Sequence, residues 1–405
     1  MNSQEKKDSS IPVVRRQFLA AAGTGLLLLK PQTVFGSEAN SALEMGLIGC
    51  GERARYDAYI LKEHTGARFV AMHDIFQDPV DIARQKLGFP DARVYHGLNG
   101  YKELLSSKVD AVVIASPPYF HPEQAAAAVS AGKHIYMAKP VAVDVPGTHS
   151  ITASAKKAEG KSSFFVDYWS EGDALFQECA ARIHRGEIGT PAVVQSFYHA
   201  PRLQPKNKPG MAAGEARLRN WVFDKYLSGD ILVEQNVHAL CDVRWFLDAV
   251  PVKACGMGGR KVRVDVGDCW DHFLVCYEYP GGTKVDFSSS QYTKGFNDIC
   301  TRVYGSEGTA EAHHYNYGSV SITGDHPWKP EGENDRGGHK SAAFNAKKFA
   351  DGIRSRQYVN NVADSVKTNL TAILGRMAAY RGGVVTWEEM SRSHEKYEVT
   401  LPGIS

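Results

Sequence analysis

Three groups of residues in this chain have types and spacings suited to chemistry. The first is Gly49-Cys50-Gly51-Glu52-Arg53-Ala54, which fits G-x-G-x-x-G/A with alanine in the third place and follows the apolar positions Met45, Leu47 and Ile48. In such a turn Gly49 permits the tight bend and Gly51 lets a pyrophosphate approach the backbone. Small Ala54 lets the next helix pack close, with its N-terminal N–H groups facing the phosphates. Asp74 ends the run ARFVAMH, 25 positions after Gly49, near the distance expected for the acid that binds an adenosine ribose. A carboxylate there accepts hydrogen bonds from both ribose hydroxyls and repels a 2′-phosphate, so NAD is favoured over NADP. A glycine-rich turn and a solvated Asp each have bland readings alone; together they favour a dinucleotide.

The second group lies in VDAVVIASPPYFHPEQAAAAVSAGKHIYMAKPVAV, residues 109–143. Strand ends of an open α/β sheet face the ligand crevice, so Ser116 and His121 are expected to border the cofactor and Lys139 the nicotinamide. A lysine near a bound sugar hydroxyl can hold its oxygen and stabilise a developing alkoxide during hydride loss. A surface lysine before the turn-forming Pro140 is the competing reading. The third group is SGDILVEQNVHALCDVRWFL, residues 228–247, where Glu234, His238 and Asp242 recur at i, i+4 and i+8. A continuous helix would set them along one face. Glu234 could then fix the tautomer of His238, making it a general base near neutrality; a solvated ladder of acid and histidine has the same pattern.

The elements that must position these groups follow from apolar periodicity. Strands are expected at 44–48, 68–73, 110–115 and 133–137, with helices at 79–87, 100–106 and 122–131, the alternation of a parallel sheet covered by helices. After residue 162 the texture changes to strands at 163–166, 192–199, 271–279, 283–291, 301–304 and 320–323, with Pro280-Gly281-Gly282 as a hairpin turn. A helix is expected over 228–247, a loop over 327–340 and a helical tract over 341–380 interrupted near 359–362. The expected class is α/β: a Rossmann dinucleotide-binding domain at 42–162 and a C-terminal α+β domain with a large open mixed or antiparallel sheet at 163–405, after a signal and linker at 1–41.

The 405 residues are 43% hydrophobic and 23% charged with a formal net charge of +2, and basic residues are dispersed, so neither nucleic acid nor an anionic membrane is indicated as partner. Arg15-Arg16-Gln17-Phe18-Leu19 opens an apolar stretch that stops at Lys30, and Val34-Phe35-Gly36 offers a small-residue cleavage site. This resembles a twin-arginine export signal. The stretch is too short to span a bilayer, which takes about 20 residues. Export of a protein already folded around its cofactor would place it in the periplasm. Seven cysteines with no C-x-x-C suggest buried thiols and no required disulfide. Tyr168-Trp169 and Trp221 could stack on a sugar or belong to the core. Adjacent His313 and His314 would point to opposite faces of a strand, so no metal is assigned.

GLIGCGERA, the segment IASPPYFHPEQAAAAVSAGKHIYMAKPVA, the helix GDILVEQNVHALCD and the tail LTAILGRMAAYRGGVVTWEEM together resemble the glucose-fructose oxidoreductase / inositol dehydrogenase (Gfo/Idh/MocA) family. The resemblance implies an NAD-dependent oxidoreductase of sugars or polyols. It places the family's E-K-P motif on Ala138-Lys139-Pro140, without the usual Glu, and its D-x-G-x-H motif on Glu234 to His238, with Asn236 replacing Gly. Lys139, His238 and Glu234 are thereby the implied catalytic residues, and Gly49, Gly51, Ala54, Asp74, Ser116, His121 and Lys139 the cofactor contacts. The expected activity is a sugar or glycoside dehydrogenase on a small carbohydrate, in a homo-oligomer. One alternative is a glycosidase that keeps its NAD and oxidises transiently, since exported relatives include NAD-dependent α-N-acetylgalactosaminidases. The other is a non-catalytic cofactor-binding protein.

Overall fold

The computed structural model describes residues 42–314, 319–331 and 338–404. The expected signal segment, and residues 332–337 of the expected loop, lie outside the described residues.

From Glu44 to Asp167 strands and helices alternate: β1 (Glu44–Ile48), α1 (Glu52–Thr65), β2 (Arg68–His73), α2 (Gln77–Leu87), β3 (Arg93–Tyr95), α3 (Gly100–Leu105), β4 (Ala111–Ile114), α4 (His121–Ser130), β5 (His134–Ala138), α5 (Val145–Ala158) and β6 (Phe164–Asp167). All six strands pair in parallel in the order β3-β2-β1-β4-β5-β6, the doubly wound Rossmann arrangement. A parallel sheet covered on both faces buries both sets of alternating side chains. Met45, Leu47 and Val113 accordingly enter one core and Ile48, Val112 and Ile114 the other. Gly46 interrupts β1 because a Cβ there would lie 2.5 Å from Leu104 of α3.

Beyond β6 run α6 (Ala174–His184), β7 (Pro191–Pro201), α7 (Ala213–Arg219), α8 (Lys225–Ser228), α9 (Asp230–Glu234) and α10 (Val237–Leu247). Then follow β8 (Lys253–Gly259), β9 (His272–Glu278), β10 (Lys284–Thr293), β11 (Asp298–Gly305), β12 (Gly308–His313), β13 (Val320–Gly324), α11 (His339–Arg354), α12 (Val362–Arg381), β14 (Val385–Thr386) and α13 (Trp387–Ser391). The second sheet has the order β13-β12-β11-β7-β10-β9-β8-β14, and the parallel β7–β10 pair makes it mixed. One face packs on helices and the other is open, so β9 alternates Phe273, Val275 and Tyr277 inward with Leu274 and Cys276 outward. Each fully buried Phe or Val of this kind stabilises the fold by about 2 kcal/mol.

Three expectations are corrected. The strand at Phe164–Asp167 belongs to the first sheet, paired in parallel with β5, so the Rossmann sheet runs past residue 162. The first closing helix, α11, is not part of the second sheet's packing either: Ala342, Ala346 and Phe349 enter the core beneath α1, where Phe349 meets Tyr136 edge-on at 5.4 Å. The helix expected over 228–247 is broken. Gly229 and Asp230 both have positive φ, and Asn236 N–H reaches back five residues to Ile231 O at 2.8 Å. That wide turn separates α9 from α10, as single-turn π-bulges do at functional sites. Strands β8, KACGMGG, and β12, GTAEAH, escape sequence reading because glycine and alanine carry little strand propensity; cross-strand pairing holds them instead.

Candidate active site

The glycine turn sits where β1 and β4 part, the switch point of the parallel sheet. Gly49 has φ +83° and donates its N–H to His73 O at 2.8 Å; a Cβ there would stand 2.9 Å from Ala115 O, so only glycine closes this turn. Gly51 is the N-cap of α1 with no side-chain cap, and a Cβ on it would meet nothing within 4 Å. Uncapped N–H groups beside a bare backbone suit a pyrophosphate. Ala54 is fully buried against the sheet.

The glycine turn lines a cleft whose near wall includes Gly49, Gly51, Asp74, Ser116 and Phe120. Asp74 accepts Cys50 N–H at 2.7 Å and Phe76 N–H at 3.0 Å, one on each oxygen. A carboxylate has about four lone-pair sites, so acceptor capacity remains for ribose hydroxyls. Ser116 Oγ donates to Gln124 Oε1 at 2.6 Å and keeps its place on the wall. The residues present therefore fit NAD. His121 does not contribute to this wall as expected. It is buried, with Nδ1 at 2.8 Å from Pro140 O and Nε2 at 2.9 Å from Ser116 O, so both ring nitrogens tie the end of β4 to the end of β5. Two carbonyls favour a protonated ring and burial opposes it; burial wins and carries His121 down to about 4.

The far wall was not legible in the sequence. Lys206, Leu218, Arg219 and Trp221, all from the segment after β7, face the glycine turn across the cleft. Arg219 clasps Asp78 of α2 with both nitrogens, Nη1 at 3.0 Å and Nη2 at 2.7 Å, and lies 4.0 Å above the Phe76 ring. A strap from the second half is thus fastened beside Asp74. Trp221 joins this wall, whereas Tyr168 and Trp169 are buried core.

At the same carboxyl-terminal edge of the parallel sheet, Lys139 follows β5 directly. Its Nζ donates to the backbone oxygen of Glu234 and, at 3.1 Å, to Glu234 Oε1. Both side chains are 13% exposed. Glu234 therefore orients Lys139, not His238, because the break between α9 and α10 removes the i, i+4 relationship. His238 is 8% exposed, its ring edge-on to Tyr168 at 6.1 Å, and its Nδ1 has no hydrogen-bond partner among the described residues. Burial, reinforced by Lys139, His314 and Arg53, holds the His238 imidazole well below the usual histidine range. Neutral at pH 7, it can accept a proton.

Four further residues form a charge network that starts in the glycine motif. Arg53, a variable position of the glycine motif, donates to Asp57 at 3.1 Å and to Asp167, while Asn345 donates to the other oxygen of Asp167 at 2.9 Å. Burial pushes the Asp57 carboxyl up to about 7 against the pull of Arg53. The i, i+4 spacing of Arg53 and Asp57 was a usable signal; Asp167 gave none. On the open sheet face Cys300, Glu311 and His313 bring donor atoms within 4.8 Å, but His313 already lies between Asp298 and Glu311, and Arg302 pairs with Glu311, a charge network complete in itself.

Comparison with known proteins agrees with this fold. A family profile described as "Oxidoreductase family, NAD-binding Rossmann fold" matches residues 43–168, and "GFO/IDH/MocA C-terminal domain" matches residues 176–311. The inositol 2-dehydrogenase of Pseudomonas fluorescens is 28% identical over 277 residues, 66% of this chain and 74% of its own. Among solved structures, scyllo-inositol dehydrogenase from Lactobacillus casei with bound NAD(H) and scyllo-inositol superposes with a TM-score of 0.67 at 18% identity, covering 86% of this chain and 99% of that one. Aldose-aldose oxidoreductase from Caulobacter crescentus complexed with glycerol gives a TM-score of 0.69 at 20% identity, covering 85% and 99%.

Proposed function

The chain belongs to the Gfo/Idh/MocA oxidoreductase family and carries its NAD-binding Rossmann domain at residues 43–168; from that premise we propose that it moves hydride between a hydroxyl-bearing carbon of a sugar, polyol or glycoside and NAD. The observation that carries this reading is Lys139, held by Glu234 at the ligand end of the parallel sheet, with its charge disfavouring protonation of the buried His238. NAD bound in the cleft would supply the hydride acceptor. Lys139 would hold the substrate oxygen and offset its developing negative charge. His238 would take the hydroxyl proton, and Glu234 would keep the lysine amine aimed. Gly49, Gly51, Ala54, Asp74 and Ser116 would hold the dinucleotide.

One observation favours the second reading, a glycosidase that retains its cofactor. The strap carrying Lys206, Arg219 and Trp221 lies across the cleft and is clasped to Asp78; such a clasp would slow dinucleotide exchange and suit a reaction in which the hydride returns. Oxidation of a ring carbon acidifies the adjacent C–H; loss of that proton expels the aglycone, water adds, and reduction restores the sugar. Export through the twin-arginine route and assembly as a homo-oligomer belong to the same proposal. The open sheet face supports assembly by exposing Leu274 and Met257 to 52% and 66%.

Incubating the holoenzyme with a glycoside panel and weighing the products tests the choice: a keto-glycoside supports the dehydrogenase, a freed sugar the glycosidase. Full NAD occupancy with neither product across the panel would instead mark a binding protein.

A further inference from the structure

We propose that Arg376 of α12, with Asn369 on the same helix face, is a positioning residue for the Lys139–Glu234 pair: it fastens the segment that carries the lysine to the segment that carries the glutamate. The inference rests on the reading of Lys139 as the group that holds the substrate oxygen. It also gives a role to the tail LTAILGRMAAYRGGVVTWEEM, which carried the family resemblance without supplying a site residue.

The geometry starts at the exit of β5. Lys139 stands on the connection between that strand and α5, where Val141, Ala142 and Val143 are buried. Buried carbonyls outside a sheet or helix need donors from elsewhere. Side chains supply them here. His121 Nδ1 meets Pro140 O at 2.8 Å, Asn369 Nδ2 donates to Ala142 O at 3.1 Å and Arg376 Nη1 donates to Val143 O at 2.8 Å. Asn369 and Arg376 lie two turns apart on α12, so a single face of that helix makes both bonds.

The glutamate side is held from the same nitrogen. Arg376 Nη1 also donates to Gly229 O at 2.8 Å, at the N-cap of α9, and one turn further along α12 the Tyr380 hydroxyl donates to Asp230 Oδ2 at 2.6 Å. Because α9 is so short, fixing its start at Gly229 and Asp230 fixes Glu234 at its end. One guanidinium nitrogen thus joins the chain just after Lys139 to the chain just before Glu234, and the two side chains meet at 3.1 Å. Arg376 is 4% exposed, lies 4.9 Å from the Tyr397 ring and forms no ion pair among the described residues. A guanidinium withdrawn from water is costly unless its donors are engaged, and these are engaged by the two segments that bear the site.

The test is acetylation of NAD-loaded protein with acetic anhydride, mapped by peptide mass, in wild type, Arg376→Met and Arg376→Lys. Lys133 is the internal control, since it flanks the opposite end of β5 with Nζ on Ser107 O at 3.0 Å and Val109 O at 2.8 Å. In Arg376→Met, Lys139 should acetylate several-fold faster while Lys133 keeps its wild-type rate, and Arg376→Lys, which can still donate to both carbonyls, should restore much of the protection. Asn369→Leu, which loses only the bond to Ala142, should show the same pattern more weakly and serves if Arg376→Met does not fold. Unchanged Lys139 labelling in the folded variants, or an equal rise at Lys133, overturns the inference. On a panel glycoside that the wild type oxidises, the hydride step of Arg376→Met should fall by roughly 10²-fold with NAD still bound. Faster Lys139 labelling with an unchanged hydride step would support the positioning and sink only the catalytic reading of Lys139.

Discussion

Lys139 and Glu234, 95 residues apart, form an ion pair that joins the Rossmann sheet to α9 of the second half, with Nζ on both the backbone oxygen and Oε1 of Glu234. The pair is largely withdrawn from water, so removing one charge leaves the other without a partner. Glu234→Gln should lower stability by about 3 kcal/mol and reduce the chemical step less than His238→Ala. For His238→Ala a loss of roughly 10²- to 10⁴-fold is expected with NAD still bound. Lys139→Met should also be severe. Stopped-flow cofactor reduction isolates that step; a His238→Ala protein that reduces NAD at the wild-type rate would place the base elsewhere.

Acid should weaken the fold through His121. Its folded pKa, about 4, lies below the unfolded value, so the unfolded chain binds more protons as pH falls below about 6.5. Stability is therefore full above that value and lost on the way down to pH 4, by up to about 3 kcal/mol. His238 adds a contribution of the same sign. Urea unfolding at pH 7 and pH 4.5 checks this, and His121→Asn should flatten the slope.

Cofactor choice should rest on Asp74. Replacing it with Ser removes up to two charge-assisted hydrogen bonds to the ribose, each about 1.5 to 3 kcal/mol, and relaxes the bias against a 2′-phosphate. Equal wild-type affinity for NAD and NADP would contradict this role.

The strap makes a kinetic prediction. Arg219→Ala loses both bonds to Asp78 and the stack on Phe76, and NAD should leave roughly ten times faster, the equivalent of about 1.4 kcal/mol. Release can be followed by loss of cofactor on rapid dilution. An unchanged off-rate would show that the strap does not retain the cofactor.

Changing Arg15-Arg16 to Lys-Lys should hold the precursor in the cytoplasm with cofactor binding intact. Fractionation that finds the variant in the periplasm at the normal level would end the twin-arginine assignment.

Much of the architecture was determined by the sequence alone, because strand alternation and turn chemistry are local. The runs at 44–48 and 68–73 became β1 and β2 at those bounds, and the glycine turn with Asp74 announced a Rossmann cleft from backbone requirements that only Gly49 and a small Ala54 meet. Tertiary structure decided what depends on partners distant in the chain. No local pattern says that Phe164–Asp167 pairs with β5, that Glu234 turns to Lys139 once Asn236 widens the helix, or that Arg219 crosses to Asp78. Histidine roles were the least legible of all: His121, His238 and His314 share one side chain and one solution chemistry. Burial and the partners gathered around each ring make one a tie between strands, one a candidate base and one the partner of the buried Asp242 carboxylate.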